Sequence, residues 1–130
     1  MVTPGTIIQH TFTVDENVYL GFKSTFKDEN PLHTDTAFAV SKGFKERVMY
    51  GNILNGFLSY LIGELLPVKN VVIQSQTIQF SKPVYLNDKV TLQAKVTEFF
   101  ESVSSAELKY KFTNQEEQVV AKGVIQIGII

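Results

Sequence analysis

Between Thr6 and Val14 apolar and polar side chains alternate along a β-branched run, and this period of two predicts a strand. His10 falls among polar neighbours there and reads as a surface residue. The period then lengthens. Val18, Tyr19, Phe22 and Phe26 recur at helical spacing behind Asp15 or Glu16, which predicts a short helix that ends just before Asp28. Asp35 suits an N-cap and Gly43 suits the position past a helix end, so about two turns are expected around Ala37, Phe38 and Ala39. Residues 52–66 read as one helix that is apolar over most of its circumference, and such a helix is stable only when something wraps it. Asn52, Asn55, Gly56, Ser59 and Gly63 interrupt it at intervals of three and four, making one narrow stripe. The stripe suits a packing groove against a strand, or the lining of a ligand channel. Pro67 stops the helix. Strand patterns follow at residues 71–80, 89–99, 103–113 and 119–127, separated by turn signals at 86–89, 101–102 and 114–116, so consecutive strands are expected to pair antiparallel. The pattern describes one α+β domain over residues 1–130, a meander of long strands around a buried helix.

The stretch between the two helical patterns carries the candidate chemistry. Asp28 and His33 lie five residues apart across Asn30-Pro31, and Gly51 opens the apolar helix less than twenty residues later. Proline fixes its own φ and pushes the preceding residue toward extended geometry, so the two side chains flank a stiff corner. A carboxylate and an imidazole can share one water as a general acid/base pair near neutral pH. The plainer alternative is an ordinary polar turn with a solvated histidine.

The run Asp28-Glu29-Asn30-Pro31-Leu32-His33 resembles the D-x-N-P-x-H signature of MaoC-like dehydratases and (R)-specific enoyl-CoA hydratases. The likeness continues through Asp35, Ala37, Gly51, Ser59, Phe80 to Val84, and Asn87-Asp88. It implies a hot-dog fold, a curved antiparallel sheet wrapped around the central helix. It also implies sites at a homodimer interface, with a tunnel for the pantetheine arm of coenzyme A or acyl carrier protein. By the same resemblance Asp28 and His33 are the catalytic pair, the Gly51 N–H is the oxyanion hole, and Ser59 shares in the hydrogen bonding around Asp28. Asn30, Tyr50, Asn52 and Asn55 join Ser59 as candidate substrate contacts. Relatives commonly carry histidine before the oxyanion glycine and an apolar residue after it; this chain has Tyr50 and Asn52. Asn55 stands where alanine is frequent and Asn87 where a turn glycine is usual. These polar exchanges suit a short or oxygen-bearing acyl group.

The implied activity is hydro-lyase chemistry on enoyl or 3-hydroxyacyl thioesters, with no cofactor beyond the carrier. The alternatives are a hot-dog thioesterase and a non-catalytic thioester binder. Lys42, Lys45 and Arg47 form either a solvated loop or a mouth that meets carrier phosphates, with Lys82 and Lys69 as the next cations to consider. A net charge of -1 argues against nucleic acid or an anionic membrane as the main partner. No cysteine and two distant histidines leave no metal site in view. No signal-peptide pattern opens the chain and no apolar run nears the ~18 residues of a membrane span, so a cytoplasmic protein is expected.

Overall fold

The structure is a computed structural model and describes residues 2–130. β1 (Ile7–Thr13) leads into α1 (Glu16–Phe26), where the Asp15 carboxylate accepts the Val18 N–H at 3.0 Å as an N-cap. Two short helices follow, α2 (Pro31–Thr34) and α3 (Thr36–Ser41). Asp35 caps α3 through Phe38 N–H, and Gly43 beyond its end takes φ 93°, both as the sequence predicts.

The central helix is α4 (Asn52–Tyr60), and it does not run unbroken to Leu66. Residues Leu61–Leu65 form a wider π turn, which keeps Leu61, Ile62 and Leu66 buried ahead of Pro67. The strands are β2 (Val71–Phe80), β3 (Lys89–Phe100), β4 (Ser105–Thr113) and β5 (Val119–Ile129). They form one antiparallel sheet in the order β1-β3-β4-β5-β2.

That order corrects the expected meander: β3, β4 and β5 pair in sequence, but β2 pairs β5 at the far edge and not β3. A turn signal marks where a strand stops, not which strand the next one joins. Residues 81–88 are long enough to cross under the sheet, and bonds from Met49 N–H to the Val84 carbonyl and from Asn87 N–H to the Val14 carbonyl tie the crossing down. Asn87 adopts φ 69° there, the left-handed geometry that asparagine tolerates.

The sheet wraps α4 on one side. Val90, Leu92, Ala94 and Val96 of β3, Ala106, Leu108 and Phe112 of β4, and Ile125 and Ile127 of β5 form one core with Ile53, Leu54, Leu58, Leu61 and Ile62. The helix is therefore not enclosed all round. Asn52, Gly56, Ser59 and Gly63 of the stripe stay exposed, as does Tyr60. β2 is open on both faces, with Val72, Ile73 and Phe80 all exposed. Among the described residues no helix is long and apolar enough to cross a membrane.

Candidate functional site

Lys27 closes α1 in left-handed geometry (φ 58°) and turns the chain outward, which leaves Asp28 exposed just beyond the helix end. The Asp28 carboxylate accepts the Asn30 N–H at 3.0 Å, and the Asn30 side chain accepts the Leu32 N–H at 2.9 Å. Asn30, a candidate substrate contact, thus spends its side-chain oxygen capping α2. Pro31 occupies the first position of that helix, where its missing N–H costs nothing. The rigid corner is therefore one helical turn, with His33 half-buried on it.

The His33 Nδ1 lies 2.7 Å from the Val48 carbonyl. A carbonyl only accepts, so Nδ1 carries the proton and a neutral ring keeps its lone pair on Nε2. The Tyr19 hydroxyl donates to the His33 carbonyl at 2.8 Å, and the Tyr50 hydroxyl donates to the Asp28 carbonyl at 2.5 Å. The Tyr50 ring packs at 4.4 Å from the His33 ring, 4.6 Å from Phe22 and 5.7 Å from Tyr19. Burial, reinforced by Tyr19, Asp28 and Glu29, pushes the Tyr50 hydroxyl up to about 12, so at neutral pH it is a donor. No hydrogen bond or ion pair joins the Asp28 and His33 side chains among the described residues.

Gly51 precedes α4, and no side chain caps that helix. Ile53 and Leu54 donate to the Tyr50 and Gly51 carbonyls, while the Gly51 N–H has no partner among the described residues. A side chain at Gly51 would put its Cβ 3.0 Å from the Phe80 ring, so glycine permits the close passage of β2. Two cavities border this region, and they divide the candidate residues: Asp28 lines one, His33 and Gly51 the other. One of about 1010 Å³ lies between α1 and the start of α4 and is lined by Asp28, Asn52, Asn55, Gly56, Phe22 and Phe57, among others. The other, of about 350 Å³, is lined by His33, Tyr50, Gly51, Phe80 and Lys82, among others. Ile53 lines both.

Part of the stripe thus lines the larger cavity. There the Gln76 amide donates to the Asn55 side-chain oxygen at 2.6 Å, and Asn55 donates to Asn52 at 2.8 Å. Gln76 of β2 is a hydrogen-bond partner of the stripe that the sequence did not reveal; a glutamine in the middle of a strand pattern was its only signal. Ser59 is exposed and makes no hydrogen bond to Asp28 among the described residues.

The basic run is not gathered at one mouth. Lys42 sits over Phe38 at 5.4 Å, Lys45 over Tyr85 at 5.0 Å and Arg47 over Tyr19 at 4.9 Å, so each cation rests on a different ring. Lys45 and Lys82 share a further cavity of about 370 Å³ with Asp88 and Glu116. Lys69 donates to the Glu64 carbonyl at 2.6 Å. Lys82 is the cation that lines the cavity of His33 and Gly51. No cluster of metal-ligating side chains exists among the described residues.

Comparison with known proteins points the same way. The family model described as a MaoC like domain matches residues 2–120. An (R)-specific enoyl-CoA hydratase of Aeromonas caviae is 32% identical over 102 residues, 78% of this chain and 76% of that protein. A 3-hydroxybutyryl-CoA dehydratase of Methylorubrum extorquens is 34% identical over 79 residues, 61% of this chain but only 50% of that protein. The solved structure of an (R)-hydratase from A. caviae superposes with a TM-score of 0.90 at 26% identity, covering 98% of this chain and 97% of that one.

Proposed function

The chain belongs to the MaoC-like domain family, whose matched relatives are named hydratases and dehydratases, and from that premise we propose that it reversibly adds water across the 2,3 double bond of an enoyl thioester. The product is an (R)-3-hydroxyacyl thioester, and the carrier is coenzyme A or the phosphopantetheine of an acyl carrier protein. No further cofactor enters the chemistry.

One observation carries the reading: His33 spends Nδ1–H on the Val48 carbonyl, which leaves Nε2 to accept. In this reading that acceptor and Asp28 share one water. In the forward step Asp28 takes one proton from that water while its oxygen adds to C3. Negative charge builds on the thioester oxygen, where the unpaired Gly51 N–H at the positive end of α4 stabilises it. Asp28 then returns the proton to C2, so the hydroxyl on C3 and the hydrogen on C2 account for one water. Asn52 and Asn55 line the acyl side, which suits a short or oxygen-bearing chain. Lys82, on the His33 side, takes over from the basic run as the nearest cation for carrier phosphates. A second copy pairing along the exposed β2 edge would form a homodimer and cover that strand.

The test is a panel of short enoyl-CoAs, followed by loss of the conjugated enoyl absorbance and by release of free thiol. Absorbance loss without thiol is the expected result. Thiol release would replace the reading with thioester hydrolysis, and neither signal would leave a binding protein.

A further inference from the structure

Asp28 and His33 are not bonded to each other, yet any shared water requires them to hold a fixed spacing. Neither has a rigid element of its own. Asp28 is exposed past the end of α1, and α2 is a single turn, too short to be stable alone. Besides the bond from His33 Nδ1 to the Val48 carbonyl, a pair of buried tyrosines ties them to the fold. Tyr19 is 2% exposed and Tyr50 3%, and their rings stack with 21° between planes. Each donates its hydroxyl to the main-chain carbonyl of one member of the pair, Tyr19 to His33 and Tyr50 to Asp28. Tyr50 also packs its ring on the imidazole and is joined through its own carbonyl carbon to Gly51.

We propose that Tyr19 and Tyr50 are positioning residues, a stacked pair that sets the spacing of Asp28, His33 and the Gly51 N–H. The inference rests on the hydration reading above and reassigns Tyr50, whose hydroxyl is turned to the protein backbone and not to substrate. Removing either hydroxyl frees one carbonyl and lets its residue drift. Misplacement of about 1 Å at reacting groups can cost about a hundredfold in rate, so even partial release is measurable.

The molecule supplies its own control. Tyr110 in β4 is also a buried tyrosine, and its hydroxyl donates to the Thr77 carbonyl at 2.6 Å, inside the sheet. Tyr19→Phe, Tyr50→Phe and Tyr110→Phe each remove one bond of the same kind. The expected result is a fall in kcat of about tenfold or more in Tyr19→Phe and Tyr50→Phe with KM within about twofold, and an unchanged kcat in Tyr110→Phe. Unchanged kcat in the first two, or an equal fall in all three, overturns the proposal. If the unmodified protein hydrates no enoyl thioester, the functional reading falls first. The decision then passes to NMR of the His33 Nδ1–H, identified against His10 with His33→Ala. Broadening of that signal in Tyr19→Phe or in Tyr50→Leu, with none in Tyr110→Phe, upholds the pair as a positioning device. A signal unchanged in both overturns it.

Discussion

The sheet and the layer of short helices hold their backbones in different ways. Along β3, β4 and β5 each strand satisfies its neighbour's N–H and C=O groups, so the side chains are left to alternate between core and surface. The stretch from α1 to α4 has no such ladder. Its helices end often, each end leaves backbone groups over, and Asp15, Asn30, Asp35, Tyr19 and Tyr50 are spent on them. Where no side chain is spent, at Gly51, an N–H stays open beside a cavity. The difference teaches that the groups proposed to react lie where backbone satisfaction is local and incomplete, and that the sheet serves as their support.

Substitutions on the two sides should therefore separate rate from stability. The largest effect on rate is expected for Asp28→Asn and His33→Ala, each lowering kcat by about a hundredfold or more in a folded protein. Leu108→Ala, fully buried in β4, should instead lose about 2–5 kcal/mol in urea unfolding. Near-normal hydration by either dyad variant would break the comparison at its centre.

Glycine positions sharpen it. A Cβ at Gly123 would lie 1.9 Å from the Thr77 carbonyl oxygen of the paired strand, so Gly123→Ala should cost about 3 kcal/mol or prevent folding. Gly51→Ala meets only the Phe80 ring, at 3.0 Å, and a ring can turn aside. It should unfold within about 1–2 kcal/mol of the parent yet lower kcat, because the turned ring and the shifted N–H both belong to the cavity. Equal stability losses in the two variants would deny the contrast.

Binding of the carrier should show a smaller effect. Lys82→Ala is expected to raise KM for an enoyl-CoA several-fold and to remove part of its salt dependence, with kcat little changed. Replacing Lys42, Lys45 and Arg47 together should do less, since each rests on an aromatic ring; the reverse ranking would restore the basic run as the phosphate contact.

The smallest effect is one the two regions share. Tyr110, like Tyr50, has its hydroxyl pushed up to about 12, there by burial alone. An unfolded tyrosine ionises near 10. Between those values the unfolded chain has released protons that the native one retains, so stability present below pH 10 falls as pH rises toward 12. Tyr50→Phe and Tyr110→Phe should each flatten that fall in denaturant midpoints measured across this range, and an unaltered slope in both would show that neither hydroxyl is held neutral.

Periodicity and cap residues made the elements legible in the sequence alone. Strand positions at 71–80 and 89–99, the caps Asp15 and Asp35, and the left-handed positions Gly43 and Asn87 follow from local rules, which depend on residues a few positions apart. The motif from Asp28 to His33 was visible there too, although its resemblance to a family signature, and not its spacing, implied a chemistry. Only the tertiary structure decided which strand β2 joins, because a crossing of residues 81–88 is settled by what it packs against and not by its own turn signals. It decided, too, that α4 keeps an open face, since the sheet curves around one side only. Tyr19 and Tyr50 read along the chain as one more apolar spacing and one departure from a family pattern. Their hydroxyls reach carbonyls fourteen and twenty-two residues away, and contacts at that range arise only when the helices are packed.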